Sequence, residues 1–93
     1  MGWEFDNKYW TEFDPEGVKF DGYYEGERYV FFISQIAIND YYQTVDSSDQ
    51  MEINFESNRS HINGVAEKFA GNFNANEESP HFCITSEYFS QYA

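Results

Sequence analysis

Hydrophobic residues change their spacing along the chain, and each change marks an element. From Val18 to Tyr24 the apolar positions are Val18, Phe20 and Tyr24, with Lys19 and Asp21 between them, the period-two signature of a strand. Glu25-Gly26 then turns the chain. The run Arg28-Tyr29-Val30-Phe31-Phe32-Ile33 is β-branched and aromatic on both faces, which predicts a central strand covered on both sides for part of its length. Residues 18–33 therefore predict a β-hairpin.

After Ser34, a candidate helix cap, the period lengthens: Ile38, Tyr41, Tyr42 and Val45 share one helical face. Ser47-Ser48 interrupts it. Asp49 with Glu52 forms a capping-box-like start to a second, longer helix, whose stripe of Met51, Phe55, Ile62, Ala66 and Phe69 runs to about Ala70, with Gly71 as its C-terminal cap. Gly64 within that stripe costs up to about 1 kcal/mol relative to Ala, so another element is expected to pack closely over it. Two helices thus fill 34–70.

Residues 72–80, rich in Asn, Glu and Ser and ending in Pro80, read as an exposed loop. Phe82 and Ile84 alternate with His81, Cys83 and Thr85, which predicts a final strand over 81–89 closing an antiparallel sheet. Residues 1–17 interleave Trp3, Phe5, Tyr9, Trp10 and Phe13 with acids and predict an aromatic, acidic arm capping the core, ended by an Asp14-Pro15-Glu16-Gly17 turn. No repeat or linker divides the chain. The expectation is one α+β domain over residues 1–93, an antiparallel sheet of three or four strands with two helices packed on one face. Phe31, Ile33, Phe55, Ile62 and Phe69 are its expected core.

Composition adds a surface to this picture. Ten Phe, eight Tyr and two Trp in 93 residues exceed what so small a core can hold, so the Tyr and Trp surplus is expected outside, where such rings favour protein contacts. Seventeen acids against five bases give a net charge of −12. That charge repels nucleic acid and anionic membranes, which argues against direct binding to either, and it steers the chain towards a basic surface. The plainer reading is that acidity keeps an aromatic-rich protein soluble. A single cysteine, Cys83, allows no intramolecular disulfide and no cysteine-based zinc set. With no apolar run of the ~18–20 residues a membrane helix needs, and no signal-peptide pattern at the start, the expected location is the cytoplasm.

Candidate chemistry is sparse. His81 and Cys83, two apart on the expected strand, could pair as imidazole and thiolate, but a buried, inert Cys83 beside a strand-edge His81 explains them as well. Glu52 and Glu56 share a helical face without a third metal ligand nearby, and a solvated face accounts for them. His61 reads as a surface histidine, and the Asn58-Arg59-Ser60 sequon as chance. Phosphate-binding, nucleophile-elbow and calcium-loop motifs are missing. The expectation is a non-enzymatic protein without catalytic residues, metal or cofactor.

The acids are more informative, because residues 1–27 hold eight of them against Lys8 and Lys19, a net −6. Alternate strand residues lie about 6.6–6.8 Å apart, so Asp21, Glu25 and Glu27 could form a row of charges spaced like backbone phosphates. Asp14, Glu16, Asp21, Glu25 and Glu27, with Tyr23 and Tyr24, are the candidate protein-binding residues.

Trp10, Val18, Phe20, the stretch Glu25-Gly26-Glu27-Arg28-Tyr29-Val30-Phe31-Phe32-Ile33-Ser34, and Phe55, Arg59, Ile62, Ala66 and Glu67 together resemble the bacterial domain of unknown function 1488 family. The resemblance spans about residues 10–70. Members often carry Cys where this chain has Phe31 or Phe32, and their usual Trp-Asp pair is Trp10-Thr11 here. It implies a compact α+β fold and supplies no function. Two functions follow as expectations. One is a housekeeping or regulatory domain that self-associates, as a homodimer for example, or binds a protein partner. The other is a nucleic-acid mimic that occupies the basic groove of a DNA- or RNA-binding protein.

Overall fold

The alternating residues do form the hairpin. Its strands are β2 (Glu16–Tyr24) and β3 (Glu27–Ser34), in a computed structural model that describes residues 2–93. Val18 lies opposite Ile33 and Phe20 opposite Phe31, so these four side chains share one face, and all are fully buried. At the turn Glu25 and Gly26 take positive φ of 52° and 82°, the backbone that lets a two-residue loop follow the twist of its strands.

The described part of the expected arm, residues 2–17, does not form an arm over the core. Glu4–Phe13 is a strand, β1, paired antiparallel with β2 at the sheet's edge. A register shift between Phe5 and Tyr9 keeps both rings against the core, together with Trp3. The charged residues and Trp10 of β1 masked a period-two pattern that was present all along.

The C-terminal expectation is corrected more deeply. Only Phe82–Ile84 forms a strand, β4, and it runs parallel to β3, with Phe31 opposite Phe82 and Ile33 opposite Ile84. The four-stranded sheet, in order β1-β2-β3-β4, is therefore mixed. The chain then turns into a helix, α4 (Ser86–Tyr92), because Tyr88, Phe89 and Tyr92 recur at helical spacing and Phe89 is driven fully inside.

Between β3 and β4 lie three helices, not two: α1 (Gln35–Tyr41), α2 (Ser48–Ser57) and α3 (Arg59–Asn72). Ser34 caps α1 as expected, its Oγ accepting from the Ala37 N–H at 3.1 Å. The helix stops before Val45, which is 67% exposed. Ser47, not Asp49, caps α2, accepting from the Gln50 N–H at 3.1 Å. The long helix breaks at Asn58, whose Nδ2 donates to the Asn54 carbonyl at 2.9 Å and turns the chain between α2 and α3. Gly71 lies inside α3, and open space surrounds Gly64 where close packing was expected.

All five expected core residues are buried, in one cluster that also takes Ile38, Met51 and Phe89. A buried amide network joins α1 to α2: Asn39 donates to Asp46 and to the Ser47 carbonyl, and Asn54 donates to Asn39 and Thr44, each at 3.1 Å or less. Two strand glycines admit rings. A Cβ on Gly17 would stand 2.5 Å from the Phe32 ring and the Ile33 carbonyl, and one on Gly22 would stand 2.7 Å from Phe5 and Phe31. Among the described residues no helix is long and apolar enough to cross a membrane.

Candidate binding surface

The fold separates the candidate binding residues. Asp14 lies in the β1–β2 turn with Glu16 beside it at the start of β2, while Glu25 and Glu27 flank the β2–β3 turn. These ends of β2 are about 25 Å apart at the usual rise of a strand. Asp21 lies between them on the face away from the helices, only 8% exposed. Arg28 Nη2 is 3.0 Å from its Oδ1, an ion pair whose N–H groups are not aligned for a hydrogen bond. Tyr23 donates to Asp6 at 3.4 Å, and Tyr24 packs on Trp3 with ring centroids 5.1 Å apart. In the expected row of Asp21, Glu25 and Glu27, Asp21 is taken up by Arg28 and Glu27 Oε1 accepts from the Tyr29 hydroxyl at 3.3 Å, while both turn residues remain exposed.

The cations are engaged within the chain. Lys19 lies 3.7 Å from Glu12, and Lys68 donates to the Tyr92 carbonyl at 3.4 Å. Arg59 lies over the Phe20 and Phe55 rings at 4.9 and 4.7 Å and donates to the Asp6 carbonyl, and burial lowers its pKa. With four of five basic side chains so held, the field outside is set by the acids.

At the β2–β3 turn end, five segments converge on a groove of about 470 Å³. Trp3 before β1, Tyr24 of β2, Tyr29 of β3, Phe82 of β4 and Phe73 after α3 supply rings, and Glu67 of α3 supplies a carboxylate. Trp3 is the hinge of the cluster, with ring centroids 5.1 Å from Tyr24 and 5.3 Å from Tyr29. Phe73 stacks on Phe69 at 4.5 Å and remains 37% exposed. Glu67 Oε2 lies 3.0 Å from where a Cβ on Gly2 would stand, so the absence of a side chain there lets the carboxylate lie against the backbone. A second hollow, lined by Glu4, Tyr23 and Glu25, adjoins through Gly2. No lysine or arginine lines either hollow among the described residues. Sequence reasoning anticipated surplus rings at the surface and named Tyr24. It missed Trp3, Tyr29, Glu67 and Phe73, which no local pattern joins.

The remaining candidates for chemistry are tied into the fold. Glu52 and Glu56, expected to be merely solvated, hold the Tyr9 hydroxyl, which donates to Glu56 with Glu52 Oε1 3.2 Å away. The hydrogen bond to Glu56, then burial, raises the Tyr9 pKa. His61, expected at the surface, is half-buried among Tyr41, Tyr42 and Phe89; its Nδ1 lies 2.7 Å from the Tyr42 hydroxyl. Burial pushes Tyr42 up to about 12. The His81 Nδ1 accepts from the Val30 N–H at 2.9 Å, which fixes the ring on β3. Cys83 is exposed, contrary to the buried reading, and desolvation in its groove raises its pKa while Lys19 pulls it down more weakly. That is opposite to the shift that activates a nucleophilic thiol. Among the described residues no group of three His, Cys, Asp or Glu side chains could hold a metal ion.

No family model, curated protein or solved structure matches the chain. The resemblance to the family of unknown function 1488 stands on the quoted residues alone.

Proposed function

We propose that the protein is a small acidic docking domain, not an enzyme, which binds the basic face of a protein partner. The observation that carries this reading is an aromatic groove lined by Glu67, beside a hollow lined by Glu4 and Glu25, with no lysine or arginine in either lining among the described residues. Such rings supply desolvated anchor contacts, and the surrounding carboxylates supply rate and orientation. A single exposed thiol suits a reducing cytoplasm. Charge of the same sign on every copy opposes a homodimer, so a basic partner accounts better for the surface than self-association does. The nucleic-acid-mimicking reading is the special case in which the partner's basic face otherwise holds DNA or RNA. It draws support from the exposure of Glu25 and Glu27.

The test begins with affinity capture from the native lysate, with and without nuclease, to obtain a partner. Association rates are then measured for wild type and for Glu25→Lys/Glu27→Lys across a salt series. We expect the double variant to associate about tenfold more slowly at low salt. The difference should fade towards 1 M salt, where the Debye length falls to ~3 Å. Displacement of the partner by DNA would single out the mimic. Equal rates at low salt would overturn the docking reading.

A further inference from the structure

We propose that the aromatic groove is an anchor pocket for one arginine side chain of the basic partner. The proposal rests on the docking reading above and gives it a chemical specificity. Over a buried floor of Phe82, the exposed Tyr24 and Phe73, the half-buried Trp3 and Tyr29 and one carboxylate surround a single opening, the groups that recognise a cation by its faces and its edge at once. A planar guanidinium can lie on Tyr24 or Phe73, the lining rings that are more than a third exposed, while its edge donates to Glu67; an ammonium is a compact, strongly hydrated charge and cannot do both.

The protein already uses this mode of contact inside its own fold. Arg59 lies between 4.7 and 4.9 Å from the Phe55 and Phe20 centroids while its Nη2 donates to the Asp6 carbonyl at 2.9 Å. That internal pair shows a guanidinium satisfied by ring faces and an oxygen acceptor. The groove offers the same two elements with Glu67 as the acceptor. At about 470 Å³ it holds more than one side chain, so the arginine should enter as part of a peptide, its neighbours filling the rest. The adjoining hollow, with Glu4 and Glu25, would receive a second basic residue of that peptide.

The experiment uses the full chain with Trp10→Phe, so that Trp3 alone reports by fluorescence. The probes are a short Gly/Ser peptide with one central arginine, its lysine and citrulline counterparts, and polyarginine. The arginine peptide should bind about tenfold more tightly than the lysine peptide and more tightly still than citrulline, which keeps the shape and loses the charge. Glu67→Gln and Phe73→Ala, both at exposed positions, should each weaken the arginine peptide by about fivefold or more. Glu78→Gln, on the loop, should leave it unchanged. Citrulline or lysine binding as tightly as arginine, no binding of the arginine peptide to the wild-type surface, or indifference to Glu67→Gln would each refute the anchor. Polyarginine separates this failure from the larger one. If it binds at low salt while Glu67→Gln and Phe73→Ala have no effect, the docking reading stands and the anchor falls. If it does not bind at all, both fall.

Discussion

The two faces of the sheet are built from the same strands and kept from water by different means. On the inner face Val18, Phe20, Phe31 and Ile33 are fully buried beneath residues of all four helices. On the outer face Val30, Phe32 and Asp21 lie outside that core cluster, yet they are 3%, 8% and 8% exposed. There the cover is local: Arg28 lies over Asp21, Lys19 reaches Glu12, and Pro15 and Pro80 border a small groove above Phe32. One face is sealed by a second layer of structure and the other by its own side chains. The groove proposed above as the docking surface therefore lies on neither face but at the end of the sheet, where both kinds of cover run out.

The largest expected effect sharpens this contrast. Phe31→Ala empties the centre of the stacked rings of Phe20, Phe31 and Phe82 and should lower stability by about 3–5 kcal/mol in chemical denaturation. A loss below about 1 kcal/mol would mean that the helices do not press on that face.

Gly17→Ala can break the contrast. Its Cβ would meet the Ile33 carbonyl and the Phe32 ring at 2.5 Å, so the local cover of the outer face should resist it by about 1–3 kcal/mol. A neutral result would show that face to be loosely closed. Gly64→Ala is the matched control: nothing lies within 4 Å, and the exchange should stabilise α3 by up to about 1 kcal/mol.

The smallest effect is one of pH. Burial raises Tyr42 from 10.0 to about 12, and Tyr9 is raised by its hydrogen bond to Glu56. The folded chain holds these protons more tightly than the unfolded chain does. The stabilisation from Tyr42 is therefore complete below pH 10.0 and is lost as pH rises through its folded value of about 12, and that from Tyr9 is lost in the same direction. Unfolding followed across that window by tyrosinate absorbance should show the decline, and Tyr42→Phe should flatten part of it. An unchanged slope in that variant would take Tyr42 out of the account.

The hairpin was legible because alternation and turn chemistry agree at Glu25-Gly26, and the core because its helical stripes are strong. The break at Asn58 was not, since Met51, Phe55 and Ile62 continue one stripe through it while the backbone of Asn58 leaves the helical region at φ −122° and ψ 30°, its side chain bonded to the Asn54 carbonyl. The last strand misled because Phe82 and Ile84 alternate for three residues before the aromatic spacing becomes helical. The groove lay beyond any window of sequence, as its rings come from both termini and the hairpin. What could be read was the surplus of aromatics that required such a place.

The parallel seating of β4 also orders how the molecule assembles. The three strands β1, β2 and β3 meet through tight turns, whereas Val30 and His81, which join β3 to the approach of β4, are 51 residues apart. Closing that distance costs chain entropy before any contact repays it, so the meander can form early and the edge must wait for the helices. Phe82 is both the first residue of that late strand and a wall of the aromatic groove. A chain that has not finished folding therefore has no complete groove, and the binding proposed for it would arise only with the closing step.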